Sequence, residues 1–298
     1  MMGLDELPTE ARGDGAGDLD LRSTRELVEL MNAHDATVAG AVAAAGHAMA
    51  AAIDAIVERL DRGGRLVYVG AGTSGALAAL DAGECESTFA VPAGRVVALV
   101  AGADLPSSAE RDAAEDDAAA GTSDVERLGV DARDAVVGVS ASGRTPYVLG
   151  AVDAAAAAGA LTVAVASVPG SALAARVDHE IAVVVGPEVL AGSTRLKAGT
   201  AQKLVLNTLS TVSMIRLGRT YGDLLVGVAG TNEKLRARVR RVVELATGSS
   251  PAEVEAAVAA AGGDARVAIV SLLAGVDAEA AAARLAASKG NVRLALLG

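Results

Sequence analysis

The sequence contains no tryptophan, one phenylalanine and three tyrosines in 298 residues, so aromatics make up only 1% of it. Its interior is therefore built from small and aliphatic side chains. Cysteine is scarcer still. Cys85 stands alone, which excludes an intrachain disulfide and a thiolate metal cluster. Three scattered histidines, His34, His47 and His179, give no zinc-ligand spacing, and the reading expects no metal and no cofactor. Positive charge is also short: 26 lysines and arginines against 37 acidic residues leave a net charge of −11. That balance excludes a broad nucleic-acid surface, which needs clustered cations, but leaves room for a small anion held by a few local donors. No basic-then-apolar leader is visible between Met1 and Asp20. Residues 36–53 are uncharged and about long enough to span a bilayer. They are mostly alanine and glycine, include His47, and are bounded by Asp35 and Asp54, so they read as a buried helix of a soluble protein. A cytoplasmic location is expected.

What the sequence does have is alanine, valine and leucine, with hydrophobic residues at 52%. Such a composition suits helices packed on a parallel sheet whose valine-rich strands are covered on both faces. Residues 1–22, rich in glycine and aspartate, read as an extended arm. Ser23 or Thr24 is placed to cap a helix towards Asn32, with Glu26 near the capping-box position. An alanine-rich helix is expected over 35–60, ended by Gly63-Gly64. Strand signals at 65–69, 95–100, 135–139, 161–166 and 181–185 then alternate with helix signals from Ser74, over 107–120 and over 147–158. A long helix at 194–217 closes the series. Alternation of this kind predicts an α/β fold with a parallel sheet, whose ligands bind beyond the carboxyl ends of the strands. From residue 231 the pattern is helical only, with segments at 232–246, 251–261, 264–273 and 277–288. The reading is an arm (1–22), a main α/β domain (23–230) and a small helical C-terminal module (231–298).

Two strand ends carry the chemistry. Gly70-Ala71-Gly72-Thr73-Ser74-Gly75 follows the first strand, and Ser140-Ala141-Ser142-Gly143-Arg144-Thr145 follows the third. Glycines let backbone approach a ligand, and hydroxyls with free N–H groups supply donors for an anion. The first loop alone is also an ordinary tight turn with N-cap hydroxyls at Thr73 and Ser74. It is neither a dinucleotide fingerprint nor a Walker loop, since its third glycine lies too close and no lysine follows. The second loop, with three hydroxyls around Gly143, is harder to account for as a turn. Together they suggest a phosphorylated small molecule lying across both. Arg144 reads equally as a solvated surface residue. Glu84 and Glu115 are carboxylates near these loops that could transfer protons if their pKa were lifted, although composition does not single them out.

The two loops resemble those of the sugar isomerase (SIS) family. The run at 186–207, GPEVLAGSTRLKAGTAQKLVLN, resembles the N-acetylmuramic acid 6-phosphate etherases more specifically, as do Gly70–Gly75, residues 140–149, the Thr9-Glu10 arm and the Thr231-Asn232 segment. The similarity runs from about Leu7 to the C-terminus. It implies an SIS-type parallel sheet between helices, a three-layer sandwich, and a metal-independent lyase. The substrate implied is N-acetylmuramic acid 6-phosphate, cleaved to N-acetylglucosamine 6-phosphate and D-lactate in peptidoglycan recycling. It also implies a homodimer with sites near the subunit interface. By motif match Glu84 aligns with the proton donor to the departing ether and Glu115 with the second active-site carboxylate, and exchanging the two roles contradicts nothing in the sequence. Thr73, Ser74, Ser140, Ser142 and Thr145 are then the phosphate ligands, with Gly72, Gly75, Gly143, Ser193 and Lys197 as lesser candidates for substrate contact. Lys197 reads alternatively as an ion-paired or surface lysine.

The chain departs from the family pattern in four places. Ala76 stands where arginine usually follows the first loop. Gly83-Glu84-Cys85-Glu86 replaces Ser-Glu-Cys-Pro, Gly13 replaces an asparagine, and Val168-Pro169 replaces Asn-Pro. These motivate a second reading, a phosphosugar-binding regulator or sensor without turnover, like the glucokinase regulatory proteins. A ketose–aldose isomerase is a third. Release of lactate separates the first from the others.

Overall fold

Alanine-rich and valine-rich segments sort themselves by period. In the computed structural model, which describes residues 9–13, 17–227 and 233–298, the chain forms two compact units: Met1–Ala82 with Val96–Leu209, and Gly83–Arg95 with Ser210–Gly298. The sequence boundary between 230 and 231 and the Thr231-Asn232 segment lie outside the described residues, as does much of the arm.

The first unit opens with α1 (Thr24–Asp35). Ser23 caps it in a reciprocal box, its hydroxyl accepting from the Glu26 N–H and its own N–H donating to the Glu26 carboxylate at 2.8 Å. The single helix expected over 35–60 is two, α2 (Val38–Ala44) and α3 (Gly46–Asp61), with a bend of 57° at the break. Ala45 leaves the helical region (φ −83°, ψ 3°) just before Gly46, a poor helix former. Among the described residues no single helix is long and apolar enough to cross a membrane.

Strand and helix then alternate through β1 (Leu66–Gly70), α4 (Gly72–Phe89), β2 (Val96–Val100), α5 (Ser108–Ala114), α6 (Ala118–Leu128), β3 (Ala135–Val139), α7 (Pro146–Ala157), β4 (Leu161–Ala166), β5 (His179–Ala182) and α8 (Lys197–Arg216). The five strands form one parallel sheet in the order β2-β1-β3-β4-β5. Two further expectations are corrected. The helix over 107–120 breaks into α5 and α6 because the Asp117 carboxylate accepts from the Ala120 N–H at 2.9 Å and starts a new helix. The fifth strand lies at 179–182, ahead of 181–185.

Both sheet faces are covered, as the valine runs predict. Val67, Val69 and Val136 share a core with Val148, Ala151 and Val152 of α7. On the opposite face the Tyr68 hydroxyl donates to Asp81 of α4 at 2.9 Å, and Asn207 of α8 donates to the same carboxylate at 2.8 Å. Gly138 in β3 is bare because Val148 and Val152 occupy the space: a Cβ there would lie 2.9 Å from each.

The helices α6 and α7 touch backbone to backbone. A Cβ on Gly121 would overlap the Tyr147 carbonyl, and one on Gly150 would overlap that of Ala118. Thr122 Oγ1 donates to Gly150 O at 3.1 Å, and the Tyr147 hydroxyl donates to Asp124 at 2.5 Å. Each glycine thus costs helix propensity and gains a contact no other residue permits.

The second unit includes Gly83–Arg95 and a two-residue hairpin, β6 (Thr220–Tyr221) with β7 (Leu224–Leu225). Five helices follow: α9 (Glu233–Thr247), α10 (Pro251–Ala260), α11 (Ala265–Ala274), α12 (Ala278–Ala287) and α13 (Val292–Ala295). Val239, Val243, Ile269 and Leu285 are among the residues of its core. The hairpin and α13 are too short to leave a periodic signal.

On an open helix face Gly→Ala stabilises by about 1 kcal/mol. Gly121→Ala and Gly150→Ala are expected to do the opposite, losing about 2 kcal/mol to overpacking, as urea denaturation will show. Unchanged or raised stability in both variants contradicts this packing.

Candidate functional site

The ends of β1 and β3, neighbours in the sheet, turn into helices at a shared cleft of about 420 Å³, within the range that small ligands occupy. Gly72, Thr73 and Ser74 in the first turn of α4 line it, as do Ser140, Ser142 and Thr145 before α7, and Ser193, Thr194 and Arg195 before α8. Glu10 from the arm and Glu115 from the α5–α6 joint complete it. The N-termini of α4 and α7 both border this space, where the helix dipoles favour negative charge.

Each loop is shaped by contacts that only glycine permits. Gly70 and Gly75 meet backbone to backbone, since a Cβ on Gly70 would stand 2.7 Å from Gly75 N. Gly72 has φ +50°, and its missing Cβ leaves room for Glu115, whose Oε1 would lie 2.7 Å from it. In the second loop Gly143 has φ +65° and lies against Ser171. Ser140 Oγ accepts from Gly143 N at 3.1 Å and shares a 2.8 Å hydrogen bond with Thr145 Oγ1. Ser140 therefore shapes the loop as well as lining the cleft. Gly75 and Gly143 do not line it.

Glu115 is held from its backbone. It caps the end of α5, and its carbonyl accepts from Tyr147 N, the second residue of α7, at 3.0 Å. The hydroxyl loop and this carboxylate are therefore fixed to one another. Burial, then the neighbouring charges of Asp112 and Asp116, push the Glu115 pKa up from 4.5. A carboxyl group so placed is suited to take up and return a proton.

The remaining sequence candidates lie elsewhere. Lys197 is buried, and its Nζ donates to Val185 O at 2.7 Å. Its N–H and that of Ala198 donate to the fully buried Glu188 carboxylate at 3.0 and 2.9 Å, which caps α8. Glu84 is exposed on α4, twelve residues beyond Gly72, or about 18 Å along a helix axis. It does not line the cleft. Ala76 is exposed and does not line it either. Arg144 is not among the lining residues.

Sequence reasoning singled out neither Glu10, Thr194 nor Arg195 as site residues, although all three sit in segments that carry the resemblance. Arg195 is the cation of the cleft lining. The signal available was its place ahead of α8, where a side chain escapes the helix packing that turns Lys197 inward. Gln202 was missed too. Only 3% exposed, it accepts a 2.9 Å hydrogen bond from Ser74 Oγ through Oε1, while its Nε2 is buried without a partner. In this arrangement the Ser74 proton is engaged by Gln202. A half-turn of the amide presents Nε2 to Ser74 Oγ and frees the hydroxyl to donate to an anion. Among the described residues no cluster of three or more His, Cys, Asp or Glu side chains is placed to hold a metal.

Residues 48–156 match the glucokinase regulatory protein N-terminal SIS domain, and residues 119–212 match the SIS domain. Proteins named N-acetylmuramic acid 6-phosphate etherase align over nearly the whole chain. One from Rubrobacter xylanophilus is 59% identical, covering 98% of this chain and 97% of its own. Another, from Streptomyces avermitilis, is 54% identical over 98% and 94%. One from Mycolicibacterium smegmatis is 47% identical over 99% of each. Among solved structures, a putative phosphosugar isomerase involved in capsule formation from Bacteroides fragilis superposes with a TM-score of 0.51 at 21% identity, covering 68% of this chain and 98% of its own. A putative sugar-phosphate isomerase from Listeria monocytogenes gives 0.50 at 16%, covering 67% and 94%. At that identity the structures speak for the fold alone, a parallel sheet between helices.

A raised carboxylate pKa means that the folded protein holds this proton more tightly than the unfolded chain. The resulting stabilisation is complete below pH 4.5 and is lost as pH rises through the folded value. Glu115→Gln is therefore expected to raise Tm relative to the parent at pH 7 and to change it little at pH 4. An equal difference at both pH values contradicts the shift. Gln202→Glu, which can only accept from Ser74, is expected to raise KM about tenfold, as for one lost hydrogen bond to a charged group, with kcat largely kept. Gln202→Leu, which leaves the Ser74 proton free, is expected to raise KM less. The reverse order disproves the Ser74–Gln202 coupling.

Proposed function

The chain belongs to the N-acetylmuramic acid 6-phosphate etherases, and on that basis we propose that it cleaves the lactyl ether of N-acetylmuramic acid 6-phosphate, giving N-acetylglucosamine 6-phosphate and D-lactate. Near full-length identity to the named etherases carries this reading. The cleft agrees with it, because hydroxyls and two helix N-termini for a phosphate surround a carboxyl group raised in pKa. The non-catalytic reading drew on Ala76 and the other departures from the family pattern, but near full-length relatives at this identity are named etherases, and Glu115 is present in the cleft. Binding without turnover has no support from the site itself.

The reaction is a lyase reaction followed by hydration. Opening of the sugar ring exposes an aldehyde that acidifies the C2–H. The Glu115 carboxylate, made more basic by burial, takes that proton. The C3–O bond then breaks, and the departing lactyl oxygen takes a proton from Glu84. Water adds across the C2–C3 double bond, its hydroxyl to C3 and a proton returned to C2, so one water is consumed overall. The aldehyde serves as the electron sink, so the proposed steps call for no metal or cofactor. Thr73, Ser74, Ser142 and Thr145 would hold the 6-phosphate, with Ser140 fixing their loop.

A homodimer accounts for Glu84. Ala76, Leu80 and Glu84 recur every four residues of α4, on one helix face, and all three are exposed, Leu80 at 54%. A second copy covering that face would bring its own Glu84 to this cleft. The proposed setting is the cytoplasm, where such an enzyme would act in peptidoglycan recycling.

Purified protein given N-acetylmuramic acid 6-phosphate is expected to release D-lactate, and Glu84→Gln and Glu115→Gln each to abolish release. No lactate at high enzyme concentration ends the catalytic reading. A heterodimer assembled from the two variants is expected to regain activity that neither parent has. An inactive heterodimer, verified by differential tags, would falsify the shared-site arrangement.

A further inference from the structure

The second unit holds a cavity of about 560 Å³ that has no part in the chemistry above. Its walls are largely apolar, with Val226, Val239 and Val258 among them, but three guanidinium groups reach it, from Arg236, Arg240 and Arg266. Apolar walls with a few convergent polar groups are the ordinary make-up of a small-ligand site. Two carboxylates, Glu255 and Asp264, also border the space. Of these three, among the described residues, Arg266 is the arginine held closely, its Nη2 lying 2.8 Å from Asp264. Arg240 stands 3.7 Å from Glu255, and Arg236 stands 3.8 Å from Glu233, both beyond good hydrogen-bond reach.

A fourth arginine makes the excess of positive charge costly. Arg219 precedes the hairpin, and its Cδ lies 3.4 Å from where a Cβ on Gly227, itself in the cavity wall, would stand. Its Nε is buried without a hydrogen-bond partner. Burial, with Arg266 and Arg95 nearby, pushes its pKa down. A half-buried cation whose Nε lacks a partner and which its neighbours repel destabilises the fold until an anion arrives.

We propose that this cavity is a second anion site, taking a small phosphorylated molecule whose phosphate is gripped by Arg219, Arg236 and Arg240 and whose apolar part lies on the valines. Phosphate fits because Arg236, Arg240 and Arg266 line the cavity with Arg219 beside it, against Glu255, Asp264 and the Glu233 beside Arg236, a positive balance that an anion offsets, and because the guanidinium fork matches phosphate oxygens. The inference rests on the helical unit and is independent of the etherase reading.

Inorganic pyrophosphate is the probe, titrated calorimetrically at low salt into the full chain. Ser74→Ala/Ser142→Ala weakens the cleft, so that the cavity can be read by itself. This double variant is expected to bind one pyrophosphate per chain, and adding Arg219→Gln or Arg240→Gln to weaken that binding at least tenfold. In the otherwise unchanged chain each arginine variant should keep lactate release, and Arg219→Gln should hold or raise Tm without ligand. If Arg219→Gln does not fold, Arg240→Gln decides. The proposal is overturned if the double variant binds no pyrophosphate or if the arginine substitutions leave binding unchanged. Lactate release is scored separately, so cavity binding without it upholds this site and removes only the etherase activity.

Discussion

The backbone contact between α6 and α7 decides where the chemistry can occur. At Gly121 and Gly150 the two helices come closer than any side chain allows, which brings the start of α7 within reach of the preceding joint. Tyr147 N can then donate to the Glu115 carbonyl, and the Glu115 carboxyl lies over Gly72, where a Cβ would press on it. Three glycines in three different elements thus bring one carboxylate to two phosphate-type loops. Their cost is helix propensity, of order 1 kcal/mol each. It is accepted where proximity matters more than local stability.

The electrostatic balance of the cleft is equally local. A chain carrying a net charge of −11 would repel an anion if charge acted at long range. Screening confines each charge to about 8–10 Å in physiological salt, so what the ligand meets is helix N-termini, hydroxyls and Arg195. The same acidic surroundings act on Glu115, where Asp112 and Asp116 add to burial in favouring the protonated form. Surface acidity too distant to repel a ligand thus still raises the pKa of a carboxyl group in the cleft.

Much of this was legible in the residues. The parallel sheet follows from valine runs alternating with alanine helices, and the two loops announce themselves by glycine and hydroxyl content. The departures have separate causes. Alanine at 35–60 favours helix throughout and masked the break that Gly46 marks just after Ala45. The helix expected over 107–120 runs through the acidic residues 115–117, where Asp117 instead caps a new helix. Lys197 read either as a substrate contact or as an ion-paired or surface lysine, whereas its Nζ is buried on Val185 O while Glu188 caps the start of α8. Gln202 was invisible because an amide one turn into a helix acquires meaning only when Ser74 is seen facing it.

The attachment of Glu115 to the first turn of α7 has a consequence for how such a site can diversify. The hydroxyl loop and the Glu115 carboxyl are tied through one backbone hydrogen bond, so a change in either disturbs the other. The wall formed by Gly192 to Arg195 with Glu10 is built differently, because it comes from a loop and an arm that meet side chain to backbone, Glu10 Oε2 standing 2.9 Å from where a Cβ on Gly192 would be. Changes in ligand preference should accumulate on that side, leaving the two glycine and hydroxyl loops with Glu115 as the shared part of the cleft.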